Sequence, residues 1–88
     1  MLTGTTSSGF NWQIAEDALD DMELLDALTE LDKGRLEAVS GVCLHLLGKP
    51  QRTALYAHLR DENGRVRISA VTNELGEIMT GLRDGKKS

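Results

Sequence analysis

The segment from Arg35 to Leu47 constrains this chain more than any other, because it has helical spacing but almost no polar face. Leu36, Val39, Val42, Cys43, Leu44, Leu46 and Leu47 leave His45 as the main interruption in its second half. A helix that is apolar nearly all round must be covered on nearly all sides. It is therefore expected at the centre of the fold, or at the seam of an oligomer if one copy cannot wrap it.

The remaining sequence points to helices as the cover. Apolar residues make up 40% of the chain but aromatic residues only 3%, so the core is built from Leu, Val, Ile, Ala and Met. That composition favours packed helices over a sheet, which leans on aromatic and β-branched residues. At 88 residues the chain is one domain, large enough to bury a core and marginal in doing so alone. From Ile14 to Leu31 the spacing predicts a helix with Ile14, Ala18, Leu24, Leu25, Leu28 and Leu31 on one broad arc and Met22 at its edge. Asp32-Lys33-Gly34 breaks it. Gly48 closes the central apolar run and Pro50 opens a short helix to Arg60. Asp61-Glu62-Asn63-Gly64 turns the chain, and Arg65-Val66-Arg67-Ile68 alternates as an extended link with Val66 and Ile68 inward. Ser69 is an N-cap for a last helix striped by Val71, Leu75, Ile78, Met79 and Leu82. The expectation is an all-α fold, a small bundle of about four helices with short loops and a brief extended link at Arg65–Ile68. Residues 1–9 read as a flexible N-terminal arm, 10–83 as a single helical domain and 84–88 as a flexible C-terminal tail. Phe10 and Trp12 would tie the arm to the domain's own core or to a partner.

Charge is divided sharply along the chain. Met1 to Asp32 holds eight acids and no Lys or Arg, and every basic residue comes from Lys33 onward. Glu16, Glu23 and Glu30 recur at seven-residue intervals on one side of the predicted first helix. Such a ridge is either a solvated face or a surface that repels its copies or receives a basic partner. Nucleic-acid binding is not expected of this half, since phosphate contacts supply most of that affinity. The single cysteine, Cys43, suits a reducing cytosol. No apolar run approaches the roughly 20 residues a bilayer demands, so no membrane contact is expected.

Motifs that would carry chemistry fail on inspection. Aligning Gly64 with the turn glycine of a calcium-binding EF-hand loop puts Leu59 and Ala70 where carboxylates belong. Cys43 and His45 point about 200° apart on a helix, and no second cysteine completes a zinc set. No glycine-rich phosphate loop or nucleophile elbow is present. The expectation is a protein that is not an enzyme and holds no metal or cofactor. Arg60, Arg65 and Arg67 around the link leave a helix-turn-helix DNA reader as one alternative, although Asp61 and Glu62 offset their charge. A small acidic regulator or nucleic-acid mimic is another.

The order of these features resembles a known family. An acidic D-D-M-E-L-L-D-A-L at Asp20 to Leu28 is followed by an apolar helix ending L-L-G-K at Leu46 to Lys49. Then come Gln51-Arg52, L-Y-A-H-L-R-D-E-N-G-R-V from Leu55, and a final A-V-T-N-E-L-G-E-I. From about Ile14 to Leu82 the chain is similar to the small tail assembly chaperones of long-tailed phages and prophages. That resemblance implies binding of the phage tape measure protein, a long helical chain kept soluble until tail-tube subunits polymerise around it. It also implies, as further partners, a longer frameshifted form of the chaperone and the tail tube protein, in the host bacterial cytoplasm rather than the mature virion. Self-association is the remaining partner expectation, through the second helix. The residues expected to meet a partner are Trp12, Met22, Leu25, Leu28, Leu44 and Leu47, with the acids Glu16, Glu23 and Glu30.

Overall fold

The computed structural model describes residues 1 to 84, so the tail expected over residues 84–88 falls almost wholly outside the described part. The elements run β1 (Leu2–Thr5), β2 (Asn11–Ile14), α1 (Met22–Asp32), α2 (Ala38–Leu47), α3 (Lys49–Leu59) and α4 (Ile68–Asp84). The fold is therefore mostly helical rather than purely all-α, because its first fourteen residues contain an antiparallel hairpin. Leu2 pairs with Ile14 and Gly4 with Trp12, and a loop through Thr6 to Phe10 joins the strands. Thr6 N–H donates to the Phe10 carbonyl at 3.0 Å, Phe10 N–H donates back to Thr6 Oγ1 at 3.1 Å, and Gly9 takes a φ of 95°.

The hairpin replaces both the expected arm and the start of the expected first helix. Phe10, Trp12 and Ile14 are buried while Asn11 and Gln13 are exposed, a period-two pattern that belongs to a strand with one covered face. Turns over Ala15 to Asp20 follow, and α1 begins only where Asp21 caps it. Asp21 Oδ1 accepts from the Glu23 and Leu24 amides at 2.8 and 3.2 Å, satisfying two donors at the helix start.

Trp12 holds the two ends of the chain together. It lies across β1 at Gly4 and beneath α4 at Gly81. A Cβ at Gly4 would overlap the indole and one at Gly81 would come 3.1 Å from Trp12 Cζ2, so both glycines are where the ring needs them. From the loop, Ser7 donates its backbone N–H and its hydroxyl to the Glu77 carboxylate, each at 2.7 Å. On the other strand, the Gln51 side chain closes the open edge. Its Oε1 accepts from Gln13 N–H at 2.8 Å and its Nε2 donates to the Gln13 and Leu47 carbonyls. An amide side chain thus takes at Gln13 the backbone pair that a third strand would take.

The helix α2 is central, as its composition predicts. It packs against α1, α3, α4 and β2, and its Val39, Val42, Cys43, Leu46 and Leu47 are buried. That cover comes from within one copy, so the expected oligomer seam at α2 is occupied by the chain's own elements. Gly48, at φ 87°, reverses the chain so that α3 folds back on α2 with Pro50 in its first turn. Asp61 organises the link to α4 by accepting from the Asn63 and Arg65 amides at 2.9 Å and pairing with Arg67 Nε at 3.2 Å. Val66 packs against the core as expected. Ile68 does not; it is the first residue of α4 and is exposed.

Candidate functional site

The strongest surface feature lies at the start of α1. The helix turns Leu24, Ala27, Leu28 and Leu31 toward α2, its principal neighbour. At 100° per residue Leu25 and Met22 stand about 100° and 160° from Leu24, beyond the reach of that neighbour. Met22 is accordingly 67% exposed and Leu25 53%, and Leu19 joins them at 52% from the preceding turn. Three large apolar side chains thus stand in water at spacings of three residues. Asp17, Asp20, Glu23 and Asp26 are exposed beside them.

The expected partner residues divide between surface and core. Met22, Leu25, Glu16 and Glu23 are exposed. Leu28 and Leu44 are half-buried, Leu28 packed against the core, and Glu30 is partly covered. Glu30 is engaged by Arg35 Nε at 3.0 Å and Lys33 Nζ at 3.7 Å, which offsets an acid placed at the negative end of the helix. Trp12 and Leu47 belong to the core and are corrected as contact residues: Trp12 is seated between Gly4 and Gly81, and Leu47 is buried at the end of α2. Leu19 was not expected. An unbroken helix from Ile14 hid it, and the structure places it instead in the exposed turn before Asp21.

A second apolar feature is a cleft of about 290 Å³ where the start of α2, the middle of α3 and the start of α4 meet. Val39 and Val71 are buried at its base, Tyr56 and Val66 are half-buried, and Leu36 and Ile68 are more than half exposed. Tyr56 Oη and Arg52 Nη1 both donate to Ser40 Oγ, at 3.3 and 3.0 Å, which braces α3 against α2 beside the cleft. A broader trough along Thr72, Asn73, Gly76, Glu77, Thr80 and Gly81 is open to solvent and lined by small and polar groups.

The titratable side chains do not assemble a reactive centre. Cys43 is fully buried, and desolvation pushes its thiol up to about 11 against the smaller opposing influence of Arg52, so it is protonated at neutral pH. His58 Nε2 lies 3.1 Å from both the Ser8 hydroxyl and carbonyl, with its ring 5.7 Å from that of Phe10. Hydrogen bonds from the Ser7 hydroxyl and amide hold Glu77 below its ordinary value. The Arg65 and Asn63 amides and Arg67 do the same for Asp61. Among the described residues no three of His, Cys, Asp and Glu are placed to share a metal ion, and no helix is long and apolar enough to cross a membrane.

No protein-family model, curated protein or solved structure matches the chain. The functional reading therefore rests on its surface. That surface offers Leu19, Met22 and Leu25 in water with exposed acids close by in the sequence.

Proposed function

We propose that this protein is a phage tail assembly chaperone that binds the tape measure protein and keeps it soluble while the tail is built. The observation that carries the proposal is the exposure of Met22 and Leu25 on a helix covered mainly from one side, with Leu19 exposed in the turn before it and acids exposed between them. Isolated apolar side chains on a surface mean little, but a row at helical spacing offers anchors for the apolar face of a client helix. The acids serve two purposes in this reading. They attract client segments that carry Lys or Arg, and their mutual repulsion keeps loaded complexes apart in the host cytoplasm. The longer frameshifted form and the tail tube protein belong to the same proposal as later partners. Neither nucleic acid nor a membrane is among its partners, and no catalytic residue, metal or cofactor is part of it.

Co-expression with a tape measure protein, if one is encoded beside this chain's gene, tests the proposal. The soluble fraction of the tape measure protein should rise several-fold with the wild-type chain and fall back with the double variant Met22→Asp/Leu25→Asp. A client that is equally soluble without the chaperone overturns it. Tight binding to a basic nuclease or repressor instead would favour the nucleic-acid mimic.

A further inference from the structure

The N-terminal hairpin is tied to the helices in a different way from that in which the helices are tied to one another. α1, α3 and α4 all pack on α2, and α3 packs on α4, so the four helices form a continuous set of contacts without the strands. The hairpin joins that set through α2 and α4. Its polar ties are Ser7 to Glu77 at 2.7 Å, Ser8 to His58 at 3.1 Å and Gln13 to Gln51 at 2.8 Å, and all three lie at the surface, where water can replace either partner. Its apolar tie is the buried side of Phe10, Trp12 and Ile14. A two-stranded hairpin is marginal by itself, so these ties are what keep it ordered.

Beside them on α4 is a side chain that opposes the closed arrangement. Glu74 is only 4% exposed, and its Oε1 has no hydrogen-bond partner among the described residues. At 100° per residue Glu74 lies about 60° from Glu77 and about 20° from Gly81 around the helix. Those are the positions at which Ser7 and Trp12 of the hairpin meet α4, so Glu74 lies on the hairpin side of the helix, next to the buried stripe of Val71, Leu75 and Ile78. Covering a carboxyl oxygen without a partner is unfavourable, and water supplies the missing bond once the cover lifts.

We propose that the hairpin is a releasable strap: residues 1–14 lift from α3 and α4 as a unit while α1 to α4 stay folded, and hydration of Glu74 favours the lifted form. Local opening of this kind is drawn from the parts of a fold held by the fewest buried contacts. Lifting uncovers Trp12 together with the stretch of α4 around Gly81 against which it lies, so the chain keeps in reserve an apolar surface that the closed form hides. The strap depends on residues 1–14 and α4, and is independent of Leu19, Met22 and Leu25 and of the tape measure protein.

Native-state amide exchange on the full chain tests the inference. After correction for intrinsic rates, the Trp12 and Gln13 amides should be at least about tenfold less protected than those of Val42, Cys43 and Leu46 in α2. Two variants separate the strap from the body. Ala27→Gly weakens α1 where it faces Gly41 of α2, and should lower protection of the α2 amides about fivefold while leaving Trp12 and Gln13 unchanged, because α1 is folded before and after lifting. Glu74→Met should instead raise protection of both sets by the same factor, about fivefold or more, because Glu74 is hydrated in the lifted and the unfolded chain alike. Circular dichroism checks that both variants are folded. Equal protection of the hairpin and α2 in the wild-type chain, or a loss at Trp12 and Gln13 in Ala27→Gly that matches the loss in α2, means that the hairpin opens only with the whole fold and overturns the strap. A gain confined to α2 in Glu74→Met means that Glu74 stays covered when the hairpin lifts and overturns its part. None of these outcomes bears on capture of the tape measure protein, which the co-expression reads separately.

Discussion

The helices α1 and α2 both present apolar residues around more of their circumference than one neighbour can cover, yet they end differently. Four elements enclose α2, so its apolar surface becomes the core. One principal neighbour meets α1, so Leu24 is buried while Met22 and Leu25 remain in water. The lesson is that an apolar side chain is structural or functional according to how many neighbours its face receives. Burial of a Leu or Met contributes about 2 kcal/mol. The chain forgoes much of that at Leu19, Met22 and Leu25, which is the physical reason for proposing them as partner contacts.

This contrast can be broken most directly by truncating both helices. Leu46→Ala should destabilise the fold by about 2–5 kcal/mol in denaturant unfolding. Met22→Ala and Leu25→Ala should each stay within about 0.5 kcal/mol while weakening partner capture. Equal losses at the two helices would remove the distinction. A second test addresses the hairpin as part of the core. Gly4→Ala drives a methyl into the packed Trp12 ring and should cost about 1–3 kcal/mol, whereas Gly76→Ala, with open space at its Cβ, should stabilise by up to about 1 kcal/mol. Glu74 sharpens the comparison from the opposite direction. It is buried in α4 with Oε1 lacking a hydrogen-bond partner, so Glu74→Met should raise stability by about 1–2 kcal/mol.

The smallest effect is expected from acid. Hydrogen bonds from Ser7 lower the Glu77 value in the folded chain, so this contact contributes above the unfolded value near 4.3 and is lost as pH falls through the folded value. Asp61 follows the same sign, through the Arg65 and Asn63 amides and Arg67. Amide shifts of Ser7 and Arg65 should therefore move together with their carboxylates in an acid titration, with the core unchanged. Movement of Ser7 on the alkaline side would contradict the assignment.

Several features were legible in the residues themselves. The all-round apolar pattern placed α2 at the centre, and Gly48 with Pro50 marked the reversal into α3. The stripe Val71, Leu75, Ile78 and Leu82 set the buried face of α4. The alternation Phe10-Asn11-Trp12-Gln13-Ile14 also carried a signal, but it is short and abuts a longer run with helical spacing. The stronger-looking period absorbed it. Of the candidate surface features, Met22, Leu25 and the acids were visible in advance, while Leu19 and the cleft at Leu36 and Ile68 were not.

What this sequence determines by itself is local and periodic: four helical segments, the glycines and acids that end or cap them, and the separation of negative charge from positive. Only the tertiary structure decides which apolar faces are covered, that Trp12 lies inside between Gly4 and Gly81, and that Leu19, Met22 and Leu25 lie outside. The reason is that hydrophobic periodicity reports which side of an element avoids water. How many neighbours arrive to cover that side depends on contacts between residues far apart in the chain.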